Sequence, residues 1–170
     1  MAYGCREAVS YSKKQEHEKW CPFVPCSCPI AYCNFEGSLE QLRRHFNDKH
    51  KKSAKGFIYN RPVSITLGVD EKFLILREET DGSLFILSNK VETLGNVITL
   101  SQIGPFMEIR SSYELTVKDE VDRRCTLRLQ SLMRSTPKWV DSPASVGFLL
   151  VPSQFSCNSR QLKFILRFPS

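Results

Sequence analysis

Cys21, Cys26, Cys28 and Cys33 fall within the thirteen residues CPFVPCSCPIAYC. Pro22, Pro25 and Pro29 separate them and deny the stretch a regular helix or a central strand. All three histidines, His17, His45 and His50, precede residue 51, and five of the seven cysteines precede residue 34. Beyond residue 51 only Cys125 and Cys157 remain, far apart and without a histidine. The N-terminal MAYGCREAVS has no apolar stretch of a secretory signal, and no apolar run approaches the ~18 residues of a membrane span. The expectation is therefore a cytoplasmic or nuclear chain with no membrane partner. Stable disulfides are rare in those compartments, and clustered Cys and His there point to metal.

The spacings give two units. His45 and His50 have four residues between them, and Cys33 and His45 have eleven. Between these, SLEQ (Ser38 to Gln41) has the form of a capping box, and Leu39, Leu42 and Phe46 recur at i, i+3 and i+7, one face of a helix that carries His45. A tetrahedral structural zinc site takes four Cys or His ligands. The fourth donor is Cys28, with four residues between it and Cys33, or Cys26, with six between, and spacing leaves both open. Upstream, Cys5 and His17 repeat the eleven-residue gap, and Cys21 follows after three more residues. SKKQ (Ser12, Gln15) stands to His17 as SLEQ does to His45. This first unit has three donors, Cys5, His17 and Cys21.

After residue 51 the pattern changes to period two, the mark of half-buried strands. VSITLGV (63–69), CTLRLQSL (125–132) and LKFILRF (162–168) alternate apolar and polar residues. KFLIL (72–76), LFIL (84–87), NVITL (96–100), YELTV (113–117) and VGFLLV (146–151) are short apolar runs rich in β-formers. Asp81-Gly82, Gly95-Asn96, Gly104-Pro105, KDEVDRR (118–124) and Pro143 supply turns, with Asp81-Gly82 the clearest hairpin. Eight short strands without a helix predict an antiparallel sandwich.

No catalytic set accompanies these strands: there is no histidine, no glycine-rich phosphate loop and no paired His and carboxylate. Cys125, at an apolar position of an alternating strand, reads as a small core residue, and Cys157 has no activating neighbour in sequence. The formal charge of +6 on 170 residues is spread along the chain. Its densest stretch, KHKKSAK (49–55), reads as a solvated linker. A DNA-reading finger opens its helix with basic or amide side chains, whereas this one opens Leu39-Glu40-Gln41-Leu42, so specific nucleic-acid binding is not expected.

The pattern C-x11-H-x3-C followed by C-x6-C-x11-H-x4-H, set in CPFVPCSCPIAYCNFEGSLEQLRRHFNDKH, resembles the double zinc finger of the seven-in-absentia (SINA/SIAH) ubiquitin ligases, in particular the plant SINA-like branch. The resemblance implies a mainly β chain: SIAH-type tandem fingers over residues 1–51, then a TRAF-like antiparallel β-sandwich over 52–170 for substrate binding and dimerisation. It implies six residues between the cysteines of the second finger. The zinc ligands are then Cys26, Cys33, His45 and His50, with Cys5, His17 and Cys21 at an incomplete first site and Cys28 a bystander. It further implies protein substrates bound through degron peptides, homo- or heterodimers with SINA-like relatives, and targeting to proteasomal degradation. Family members carry an N-terminal RING domain that recruits the ubiquitin-conjugating enzyme. The sequence reads as beginning after it, so that enzyme is expected only through a RING-containing relative, and a decoy of full-length members is the alternative.

Overall fold

The computed structural model describes residues 4–105, 111–119, 121–140, 147–156 and 159–169. A 3-10 turn (Tyr11–Lys13) leads into helix α1 (Lys14–Trp20). A short hairpin of β1 (Cys26–Ser27) and β2 (Glu36–Gly37) is followed by helix α2 (Leu39–Lys49). The remaining elements are strands: β3 (Lys55–Phe57), β4 (Val63–Gly68), β5 (Phe73–Glu78), β6 (Leu84–Glu92), β7 (Gly95–Ile103), β8 (Ser112–Lys118), β9 (Thr126–Leu132), β10 (Arg134–Thr136), β11 (Leu149–Pro152) and β12 (Gln161–Arg167), with a 3-10 turn at Ser153–Ser156.

The strands form two facing sheets. One has the order β10-β7-β6-β5-β3 with β11 also on β7, and the other the order β4-β12-β8-β9. Alternation decides what lies between them. Ile65 and Leu67 of β4, Leu115 and Val117 of β8, and Leu162, Phe164 and Leu166 of β12 face Leu76, Phe85, Leu87, Ile98 and Leu100 in one cluster of buried side chains. The fold is a mainly β sandwich, as expected.

The continuous runs KFLIL and LFIL have a separate cause. Ile75, Leu84, Ile86 and Ile103 point away from the sandwich interior and join a second cluster with Leu42 and Phe46 of α2 and with Cys26 and Cys28. The central strands are thus covered on both faces, by the second sheet and by the finger helix, so their sequence does not alternate. Leu42 and Phe46 are each 0% exposed.

Particular expectations met different outcomes. Asp81-Gly82 does turn β5 into β6: Gly82 has φ +71° and its N–H donates to Glu78 O at 3.1 Å. The next turn falls on Thr93-Leu94, because Glu92 already pairs with Gly95. Gly95 is needed for close approach: a Cβ there would lie 2.1 Å from Val151 O of β11. β3 pairs with β5, and β10 with β7, in parallel, so the sandwich is antiparallel except at these two three-residue edge strands. Cys125 is exposed rather than in the core, because β9 begins at Thr126 and Cys125 lies in the preceding turn. Cys157, Pro143 and Val146 lie outside the described residues.

Candidate metal centres

The second group is built by a hairpin and a helix. The β1–β2 pairing (Cys26 with Gly37) is extended by Cys28 N–H donating to Phe35 O at 3.0 Å. Between them the chain turns tightly: Cys33 N–H donates to Ile30 O at 3.1 Å, and Tyr32 takes φ +67°. That knuckle directs Cys28 and Cys33 to the same side, towards α2. The helix starts where the sequence predicted. Ser38 Oγ accepts from Gln41 N–H at 3.3 Å, and Gln41 Oε1 accepts from Ser38 N–H at 2.9 Å. His50 ends it, its N–H donating to Phe46 O.

The Sγ atoms of Cys28 and Cys33 and one ring nitrogen each of His45 and His50 all lie within 4.8 Å of one another. Cys33 Sγ is 3.2 Å from His45 Nε2 and 3.3 Å from His50 Nε2. Zinc bonded tetrahedrally to sulfur and imidazole nitrogen places those donors about 3.5 Å apart, so the set fits the ion. Phe35 stacks on the His45 ring at 4.0 Å and 5°, which fixes its plane. Burial, with His50 and Lys49 nearby, lowers the His45 pKa and keeps the imidazole in its ligating neutral form. Burial pushes the Cys28 thiol up to about 11, so the ion must displace a proton there at neutral pH.

Cys26, the donor implied by the resemblance, is not in this group. Its side chain is 0% exposed among Leu42, Phe46 and the outer face of the sheet, and its Sγ faces Val24 O at 3.7 Å. Cys26 stands two residues further down the hairpin than Cys28, level with the apolar contact rather than with the knuckle. The geometry thus groups Cys28, rather than Cys26, with Cys33, His45 and His50, and buries Cys26 in the apolar contact.

The first group gathers Cys5, His17 and Cys21, again within 4.8 Å of one another. His17 Nε2 lies 3.3 Å from Cys5 Sγ, and its Nδ1 lies 2.9 Å from Glu7 Oε2. A carboxylate on Nδ1 fixes the tautomer and leaves Nε2 to bind a metal. Sequence reading missed Glu7, whose role depends on how residues 4–10 lie along α1. The second capping box does not form. Ser12 lies inside the 3-10 turn, and the first residue before α1 is Lys13, with no side-chain cap. Cys21 follows α1 directly, is buried, and has its thiol pKa raised mainly by that burial. Cys5 and His17 with Glu7 also resemble a nucleophile, base and orienting carboxylate. The second thiol of Cys21 beside them favours metal.

Residues 1–56 match the family model described as Sina, zinc finger. The chain is 33% identical over 159 residues to E3 ubiquitin-protein ligase SINA-like 4 of Arabidopsis thaliana, covering 89% of this chain and 48% of that protein. The chain thus carries a Sina zinc finger in its first 56 residues and is similar over most of its length to SINA-like ligases. SINA-like 10 of the same plant is 32% identical over 153 residues, covering 89% of this chain and 43% of that one. For the putative ligase SINA-like 6 the figures are 31% over 157 residues, 91% and 56%. The chain spans about half the length of the curated relatives it matches. Its Cys and His groups are of the type that zinc takes.

Proposed function

We propose that the chain is the zinc-binding substrate-recognition and dimerisation module of a SINA-like E3 ubiquitin ligase, directing bound proteins to degradation. The observation that carries this reading is the seating of α2 on the sandwich. Leu42 and Phe46 pack on the outer face of β5–β7, so finger and sandwich share one apolar cluster suited to presenting a joint surface to a target. Zinc in the Cys28, Cys33, His45 and His50 group holds the hairpin and helix together.

A target peptide adds as a strand to an exposed sheet edge. β3 ends the larger sheet, beside a shallow cleft lined by Lys55, Phe57, Ile58 and Arg61. Exposed Phe148 and Leu150 near β9, with exposed Leu132, supply an apolar surface for dimerisation. Duplex reading is disfavoured, because the face of α2 that carries Leu42 and Phe46 is buried, and Arg43 donates to Ser83. No helix among the described residues is long and apolar enough to cross a membrane.

The test is an in vitro ubiquitination assay of this chain alone and mixed with a RING-containing SINA-like relative. We expect no transfer alone, and a dose-dependent change in ubiquitination of a bound target in the mixture. Robust transfer by this chain alone would overturn the reading, since the ubiquitin-conjugating enzyme is expected to enter only through the relative. Transfer unaffected by the chain at saturation would remove its part in recognition.

A further inference from the structure

The two sheets differ in what lies on their outer faces. Helix α2 covers that of the larger sheet through Leu42 and Phe46. On the smaller sheet, β4-β12-β8-β9, the outward side chains alternate with core residues such as Ile65, Val117 and Phe164, and Ser64, Thr66, Lys118, Arg128, Lys163 and Arg167 are exposed. Register orders them in rows. Thr66 pairs with Lys163, and Phe164 pairs with Val117, so Lys163 and Lys118 take neighbouring outward positions, with Thr126 beyond Lys118. The next row holds Ser64, Ile165, Thr116 and Arg128, and the third holds Arg167, Glu114 and Gln130. A cleft of about 400 Å³ runs over the first two rows, and Arg123 of the β8–β9 turn also lines it.

The carboxylates of this face are engaged within the chain. Glu114, whose side chain is 10% exposed, pairs with both Arg128 and Arg167 and holds the two guanidiniums over the surface. Asp119 accepts from the N–H groups of Val121 and Asp122 in its own turn, and Asp122 pairs with Arg124. The face therefore carries an excess of positive charge.

We propose that this face docks an acidic segment of a partner protein that has carboxylates on either side of an aliphatic residue. Charge complementarity selects the carboxylates. Lys163 and Lys118 are like charges in neighbouring positions, which disfavours the bare sheet and is relieved when a carboxylate lies between them. Ile165 selects the aliphatic residue. It is partly exposed midway between Lys163 and Arg167, and outward residues two apart on a strand are about 6.8 Å apart. An extended segment has the same repeat, so acid, aliphatic and acid at alternate positions meet Lys163, Ile165 and Arg167 in turn. The hydroxyls of Ser64, Thr66 and Thr116 line the same cleft and donate to carboxylate or backbone oxygens. A nucleic-acid strand fits less well, because single strands stack on exposed aromatic rings, whereas the aromatic residues lining this cleft, Phe155 and Phe164, are buried. The face belongs to the sheet that does not contain β3, so the inference does not rest on a target adding at the β3 edge.

The test is fluorescence anisotropy of a labelled peptide with glutamate, leucine and glutamate at alternate positions, titrated with the metal-loaded full chain. Binding should saturate and weaken as salt rises, since exposed charges are screened beyond about 10 Å at 0.1 M ionic strength. Lys118→Glu with Lys163→Glu should weaken it about tenfold. Lys51→Glu with Lys52→Glu makes the same change of charge elsewhere and should leave it unchanged. Serine in place of the peptide's leucine should weaken binding to the unaltered chain about fivefold. That comparison needs no variant, so it decides even where a variant is destabilised. Absence of saturable binding, equal loss from the two charge variants, or equal affinity for the serine peptide would overturn the inference. Tighter binding of a single-stranded DNA of equal charge, lost with Lys118→Glu and Lys163→Glu, would overturn it in favour of nucleic acid.

Discussion

Arg43 Nη2 donates to Ser83 Oγ at 2.8 Å, and this bond ties the finger helix to the β5–β6 turn of the sandwich. The two residues are forty apart in sequence, and Ser83 is itself fixed by Asp81, which accepts from its N–H at 2.8 Å and its hydroxyl at 2.9 Å. The finger is thus joined to the sandwich by a polar contact as well as an apolar one. Arg43→Ala should cost on the order of 1.5–3 kcal/mol, the worth of one hydrogen bond to a charged group. Chemical denaturation of the metal-loaded chain measures it.

Phe46→Ala removes a fully buried ring from the seam between α2 and the sheet. A loss of about 3–5 kcal/mol follows for such a cavity. Because the same helix carries His45 and His50, the variant should also release the second metal at lower chelator concentration than the parent. A normal chelator titration of this variant would mean that finger and sandwich are energetically separate.

Gly95→Ala places a methyl group 2.1 Å from Val151 O, where β11 backbone would have to move. Overpacking of that kind costs about 1–3 kcal/mol, seen as a lowered Tm with metal content unchanged.

Cys26 provides a pH-dependent signature distinct from the metal ligands. Burial raises its thiol from the ordinary 9.0 to about 11. A folded value above the unfolded one stabilises the protein fully below pH 9 and loses that contribution as pH rises towards 11. The denaturation midpoint of the metal-loaded chain should therefore fall across that window. Cys26→Ala should flatten the fall.

Much of this was legible in the sequence, for local reasons. The helix carrying His45 follows from Ser38, Gln41 and the apolar spacing, all within one element. The eight strands follow from period two or from β-rich apolar runs bounded by turns. Contacts between distant elements were not legible. The runs at 72–76 and 84–87 could not reveal that a finger helix covers their second face. β3 and β10 are three residues long and owe their pairing to neighbouring strands. SKKQ matches SLEQ at its first and last letters, but α1 starts one residue too late for Ser12 to cap it. The choice between Cys26 and Cys28 depends on which cysteine flanks the knuckle, and spacing does not encode that.

The donor assignment decides how the finger closes and what holds α2 on the sandwich. Zinc content of purified Cys28→Ala and Cys26→Ala chains after mild chelation tests it directly. Cys28→Ala should lose the tightly held zinc, while Cys26→Ala should keep it at reduced fold stability. Retention by Cys28→Ala with loss from Cys26→Ala would contradict it.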